Sequence, residues 1–149
     1  MGHLAIFIVN QNGSLVYHKV ITPSLKFATN DTIRLASTFH SMHAISQQIT
    51  PNCQDIRAGF GGSPGFLAGT VMEGINEIVT DNFTLKCFQS FTGVKFILVS
   101  DPQQKDMDYC LKSIYEAYAD HVSKNPFQEA EMPIRSDLFE GSITKIFNL

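Results

Sequence analysis

The chain has 149 residues, 44% of them hydrophobic and 17% charged, with a formal net charge of -3 and a pI near 5.9. This is a composition for one folded domain, able to bury roughly 70% of its unfolded surface, and it excludes a disordered chain. The mild acidity gives no reason to expect a nucleic-acid ligand.

Residues 4–9 (LAIFIV) form a continuous run of branched and aromatic side chains, as in a central strand buried on both faces. Asn10-Gln11-Asn12-Gly13 signals a turn, and residues 14–21 (SLVYHKVI) mix polar and apolar side chains as an outer hairpin strand would. Pro23 ends that pairing and residues 22–30 connect onward. The spacing then predicts a helix over residues 31–50, capped by Asn30 or Asp31 and stopped by Pro51. Leu35, Phe39, Met42, Ile45 and Ile49 recur at steps of three or four, so they are expected to face the core. The opposite side carries Ile33, Ala36, Ser37, His40, Ala44, Gln47 and Gln48, with Asp31 and Arg34 as the helix's only charges. A small, polar, uncharged back suits close contact with a second protein surface better than open solvent; a helix covered by the chain's own loops is the simpler alternative.

Residues 52–71 have no clear period and contain GFGGSPGFLAG. No GK[ST] follows, no strand precedes, and Pro64 breaks any helix start, so a surface loop is expected rather than a phosphate cradle. Phe60, Phe66 and Leu67 in it can dock on the domain or on a partner. Residues 73–80 (EGINEIVT), 83–89 (FTLKCFQ) and 94–100 (VKFILVS) read as an antiparallel meander, the first an edge strand and the last the most central. A second helix is expected from Asp106, as its cap, to about Lys124, with Met107, Cys110, Leu111, Ile114, Tyr118 and Val122 inward. After the linker NPFQEAEMPIR, Ser136 or Asp137 caps a short last helix bearing Phe139, Ile143, Ile146 and Phe147. The order β-β-α-β-β-β-α-α predicts a single α+β domain over residues 1–149. Its five-stranded antiparallel sheet has helices on both faces, the longin-like or profilin-like arrangement.

Catalytic chemistry is thin in this pattern. His40 and His43 are close enough to share a metal, but no third ligand stands at a supporting spacing. Asp106 and Asp108 read as a capping and solvated pair, and Tyr109, Tyr115 and Tyr118 as fillers of the core or its rim. Cys87 and Cys110 read as inert core thiols; with Cys53 they make an odd set without CxxC spacing, as expected in a reducing cytosol. No apolar run reaches the roughly 18 residues of a membrane span, and MGHLAI puts Ile6 where a myristoylation signal wants Ser or Thr. A soluble cytoplasmic protein without cofactor, metal or catalytic site is expected.

Three segments carry a resemblance to a known family. RLASTFHSMHAISQQITP, GINEIVTDNFTLKCFQSFTGVKFILVSDP and SIYEAYADHVSKNPFQEAEMPIRSDLFE are similar to the synbindin family, longin-type small subunits of the TRAPP vesicle-tethering complex. NPF followed by EMPIR, with TDNF and SDP at matching separations, is the specific part. The resemblance implies a scaffold that pairs with a second longin-type subunit and joins α/β-type subunits. The assembly exchanges guanine nucleotide on a Rab-family GTPase in endoplasmic-reticulum-to-Golgi and Golgi traffic. Such exchange works by differential binding to an opened switch region, with no covalent step. The resemblance also implies pairing through the first helix and the edge of the third strand, making Ile33, Ser37, His40, Ala44, Gln47, Ile75 and Glu77 the expected partner-facing residues. Self-association of the isolated chain stays open through the same face.

Departures limit the transfer. Some family members insert a PDZ-like module between the second strand and the first helix, where this chain has only residues 22–30. The Gly-rich stretch is an insertion elsewhere, Ser136 stands where the family often has Cys, and the tail past Phe139 diverges. Two other classes are compatible with the fold, a longin-type coat or adaptor subunit and a profilin-like domain holding a small ligand. A longin SNARE would carry a heptad-repeating helix and an anchor after the domain, which these residues lack.

Overall fold

The computed structural model describes residues 2–49, 74–90, 92–129 and 131–148. The Gly-rich stretch, with Phe60, Phe66, Leu67 and Cys53, lies outside them. In chain order the elements are β1 (His3–Val9), β2 (Leu15–Val20), α1 (Thr29–Ile49), β3 (Glu77–Val79), β4 (Thr84–Gln89), β5 (Lys95–Ser100), α2 (Met107–Tyr118) and α3 (Asp137–Ile146). The expected order and the five-stranded sheet are both present, with strands arranged β2-β1-β5-β4-β3 and every pairing antiparallel.

The two most apolar strands took the middle. β1 pairs with β2 on one side and β5 on the other, and Ala5, Ile6, Phe7, Ile8 and Val9 are all buried. Alternation then sends Ile6 and Ile8 to one face and Ala5, Phe7 and Val9 to the other. The β1–β2 turn closes because the Asn10 side-chain oxygen accepts from the N–H groups of Asn12 (3.0 Å) and Ser14 (2.9 Å).

α2 and α3 cover one face. Met107, Cys110, Leu111, Ile114, Phe139 and Ile143 are buried there against Ile6, Ile8, Phe88, Phe96 and Leu98. Tyr115 and Tyr118 pack edge-on to Phe96 at 5.8 and 5.2 Å, so two of the three tyrosines fill the core as expected. Tyr109, by contrast, is exposed. α2 ends in a π-helical turn, Ala119–Ser123, that buries Val122.

The two caps differ. Ser136 has extended backbone (φ -83, ψ 120) and its hydroxyl accepts from the Phe139 N–H, so it is the cap of α3. Asp106 precedes α2 at φ -88, ψ 16, outside the extended region a capping side chain needs, and makes no side-chain cap bond. Asp108, in the first turn of α2, instead pairs with Lys86 of β4 at 3.0 Å.

α1 covers the other face, and here the structure corrects the expectation. Thr32, Ala36, Phe39 and His43 point inward, with Leu35 half-buried, while Met42, Ile45 and Ile49 are 41, 56 and 75% exposed. Only Phe39 and Leu35 of the expected core stripe serve it, and Ala36 moves from the expected back to the core. The reason is that two polar residues are buried with their bonds made: the Thr32 hydroxyl donates to the Thr29 carbonyl at 2.7 Å, and His43 is held as described below.

Candidate functional site

The first helix and the ends of the strands beneath it bring together His40, His43, Gln47, Gln89 and Lys95. β5 sends Lys95, Ile97 and Val99 toward α1, and β4 sends Leu85, Cys87 and Gln89, because paired strands alternate in register (Gln89 opposite Lys95, Cys87 opposite Ile97). Lys95 is only 4% exposed. Its ammonium donates to His40 Nδ1 at 3.2 Å.

His43 is fixed from two sides. Its Nδ1 accepts from the Ile75 N–H at 3.2 Å and its Nε2 meets Gln89 Oε1 at 2.6 Å. An acceptor at Nδ1 leaves the proton on Nε2, which donates to Gln89, so the ring is neutral in a defined tautomer. The same logic makes His40 neutral, since its Nδ1 accepts from Lys95. Burial holds both rings below the ordinary histidine value; Lys95 adds to this at His40, while the Gln89 bond opposes it at His43. Lys95 is likewise pulled down by burial, and burial pushes the neighbouring Cys87 thiol up to about 12, so that thiol is no counter-ion at neutral pH.

Two glycines make room for the rings. Gly74 at φ +100 and Gly13 at φ +88 adopt backbone that L side chains avoid, and a Cβ on them would lie 2.5 Å from His43 and 2.7 Å from His40. Between the rings and the β4–β5 turn opens a cleft of about 270 Å³, lined by Gln11, His40, His43, Gln47, Lys95 and their neighbours. Among the described residues, no group of three or more His, Cys, Asp and Glu is placed to hold a metal ion.

The expected partner-facing residues separate into two sets. Ile33, Ser37 and Ala44 are exposed along α1 and Glu77 is exposed on β3. His40 and Gln47 are half-buried in the cleft, and Ile75 is half-buried just before β3, packed against the α1-side core. Sequence reasoning missed Lys95, His43 and Gln89 as members of the site. One signal was available, a lone lysine inside the otherwise apolar VKFILV. It also missed the exposed row Met42, Ile45 and Ile49.

Of the two edges of the sheet, β2 is partly closed: the linker's Ile134 N–H donates to the Val16 carbonyl at 2.9 Å, and Lys19 and Tyr17 both reach Glu140 of α3. No segment among the described residues pairs with the outer side of β3. One helix on one face, two on the other, and strand order β2-β1-β5-β4-β3 define a longin-like α+β domain. The Sybindin-like family model matches residues 3–149, and the chain belongs to that family. It is 38% identical over 145 residues to trafficking protein particle complex subunit 4 of Dictyostelium discoideum, covering 97% of this chain and 96% of that protein. Against the human protein of the same name identity is 39% over 118 residues, 79% of this chain but 46% of the human one, so the chain spans just under half of that relative. Subunit 1 of the D. discoideum complex is 23% identical over 90% of this chain and 86% of its own length. A Roadblock/LC7 domain from Streptomyces avermitilis superposes with a TM-score of 0.47 at 12% identity, covering 80% of this chain and 88% of that one. No helix among the described residues is long and apolar enough to cross a membrane.

Proposed function

We propose that this chain is a non-catalytic scaffold subunit of a TRAPP-type tethering complex. It pairs with a second longin-type subunit through α1 and the β3 edge, and it joins α/β-type subunits. Within that assembly it helps to exchange guanine nucleotide on a Rab-family GTPase, peripherally at endoplasmic reticulum and Golgi membranes. The observation that carries the reading is the row of exposed apolar side chains on α1, Met42, Ile45 and Ile49, in a protein whose relatives are named as subunits of one complex. Helix exposure of that kind is costly to an isolated domain and is relieved when a partner covers it. Ile33, Ser37 and Ala44 are exposed on the other flank of α1, which also carries His40 and Gln47 of the cleft; Glu77 is exposed on β3, with Ile75 half-buried just before it.

The test is gentle purification of the tagged full chain from its own cells, with its companions identified by mass spectrometry. Small TRAPP subunits in near-equal amounts are expected, and the recovered assembly should accelerate nucleotide release from a Rab-family GTPase. A chain that emerges alone, or with coat subunits, overturns the reading.

A further inference from the structure

Lys95 is the anomaly of this fold. A lysine ammonium is rarely buried without a carboxylate, because removing the charge from water costs several kcal/mol unless it is paired. Among the described residues no carboxylate lies within ion-pair distance of it, and its hydrogen bond there goes to a neutral ring, His40. The lysine does not face a closed core. It lines the cleft between α1 and the β4–β5 turn, whose other walls offer the Gln11, Gln47 and Gln89 amides and the Thr92 hydroxyl. Gln89 uses its carbonyl oxygen for His43 and Gln47, which leaves its amide N–H groups as donors for a ligand. Among the described residues, no acidic side chain lines the cleft.

We propose that this cleft is a carboxylate socket, filled in the assembled complex by an aspartate or glutamate side chain of the subunit docked on α1, with Lys95 as its ion-pair partner. The proposal rests on the pairing reading above. Charge and size both select the occupant. Among the described residues, Lys95 is the single formal cation in the lining once both histidines are neutral, which matches one carboxylate and undersupplies a doubly charged phosphate. The volume of about 270 Å³ lies below the roughly 300–1,000 Å³ of small-molecule pockets. It is ample for a carboxyl group on one or two methylenes. Position selects the source, since His40, Ala44 and Gln47 belong both to the cleft wall and to the helix side expected to meet a partner.

The experiment compares three full chains, unaltered, Lys95→Met and Gln47→Glu, each tagged in its own cells. Lys95→Met removes the buried charge and keeps the volume. Its expected signature is a melting temperature equal to or above that of the unaltered chain, together with at least tenfold weaker retention of the companion longin-type subunit and a shallower dependence of retention on salt. Gln47→Glu leaves the buried lysine in place and offers it a carboxylate from this chain, so it should also weaken retention at least tenfold. It serves as the measure should Lys95→Met fail to fold. If the unaltered chain retains its companions and either folded variant retains them equally well, the socket is refuted and the pairing stands. If the unaltered chain retains none, pairing and socket fall together.

Discussion

On one face of the sheet, α2 and α3 bury Met107, Leu111, Ile114, Phe139 and Ile143 on a floor of Ile6, Ile8, Phe96 and Leu98. On the other, α1 buries Phe39 and Ala36 beside Thr32, His43 and Lys95, and turns Met42, Ile45 and Ile49 outward. The first face is finished within the chain. The second spends buried positions on polar groups and keeps apolar ones for the surface, the reverse of what stability alone favours. A domain divided this way has one face suited to holding it together and another whose exposed apolar row fits the proposed pairing.

Phe139→Ala should break the finished face. With its ring fully buried, the substitution is expected to cost about 3–5 kcal/mol, read from the urea midpoint of the purified chain. A loss under about 1 kcal/mol would mean that α3 is an accessory and not part of the closed core. Ile45→Asp probes the other face: stability should change by less than about 0.5 kcal/mol, while retention of companion subunits weakens by about 2 kcal/mol or more if the row is an interface centre. Unchanged retention would return α1 to the status of an ordinary covered helix.

The smallest effect is that of pH, and it too is weighted toward α1. His40 and His43 are held below the ordinary histidine value, so the unfolded chain binds protons that the folded one refuses. Stability from this source is fully present above about pH 6.5 and is lost as pH falls through the lower folded values. Protonating His43 Nδ1 would also break its bond from the Ile75 N–H. Melting temperature should therefore be lower at pH 5.5 than at pH 7.5, and His43→Gln should reduce that difference. His3 on the finished face shifts in the same direction, so a residual slope is expected in the variant.

Most of the scaffold could be read in the chain itself. LAIFIV and VKFILV announced central strands because strands buried on both faces leave no room for alternation, and Ser136 was legible as a cap by residue type and position. The orientation of α1 was not legible. Periodicity assigns apolar residues inward, and it cannot register that Thr32 bonds its own helix or that His43 finds a backbone N–H more than thirty positions away. Nor does a helical pattern reveal that Gly74 is the hollow into which a histidine fits. Asp106 erred in the other direction: its type suits a cap, but its backbone does not. The candidate site was therefore half visible, as a helix back containing His40, Ala44 and Gln47, while its charge, Lys95, was hidden in a strand read as apolar.

The central place of β1 has a consequence for synthesis. This strand is made before the rest of the sheet, and β2 follows at once, but its second neighbour is β5, with His3 opposite Ser100 and Phe7 opposite Ile97. Until that distant segment arrives, LAIFIV has one bare backbone edge and two bare apolar faces. Loop closure over so long a separation is slow, and an unpaired strand of this composition readily pairs with another chain. The nascent protein thus carries an unpaired apolar strand until β5 is made, and its yield should depend more on chaperone supply than its finished stability suggests.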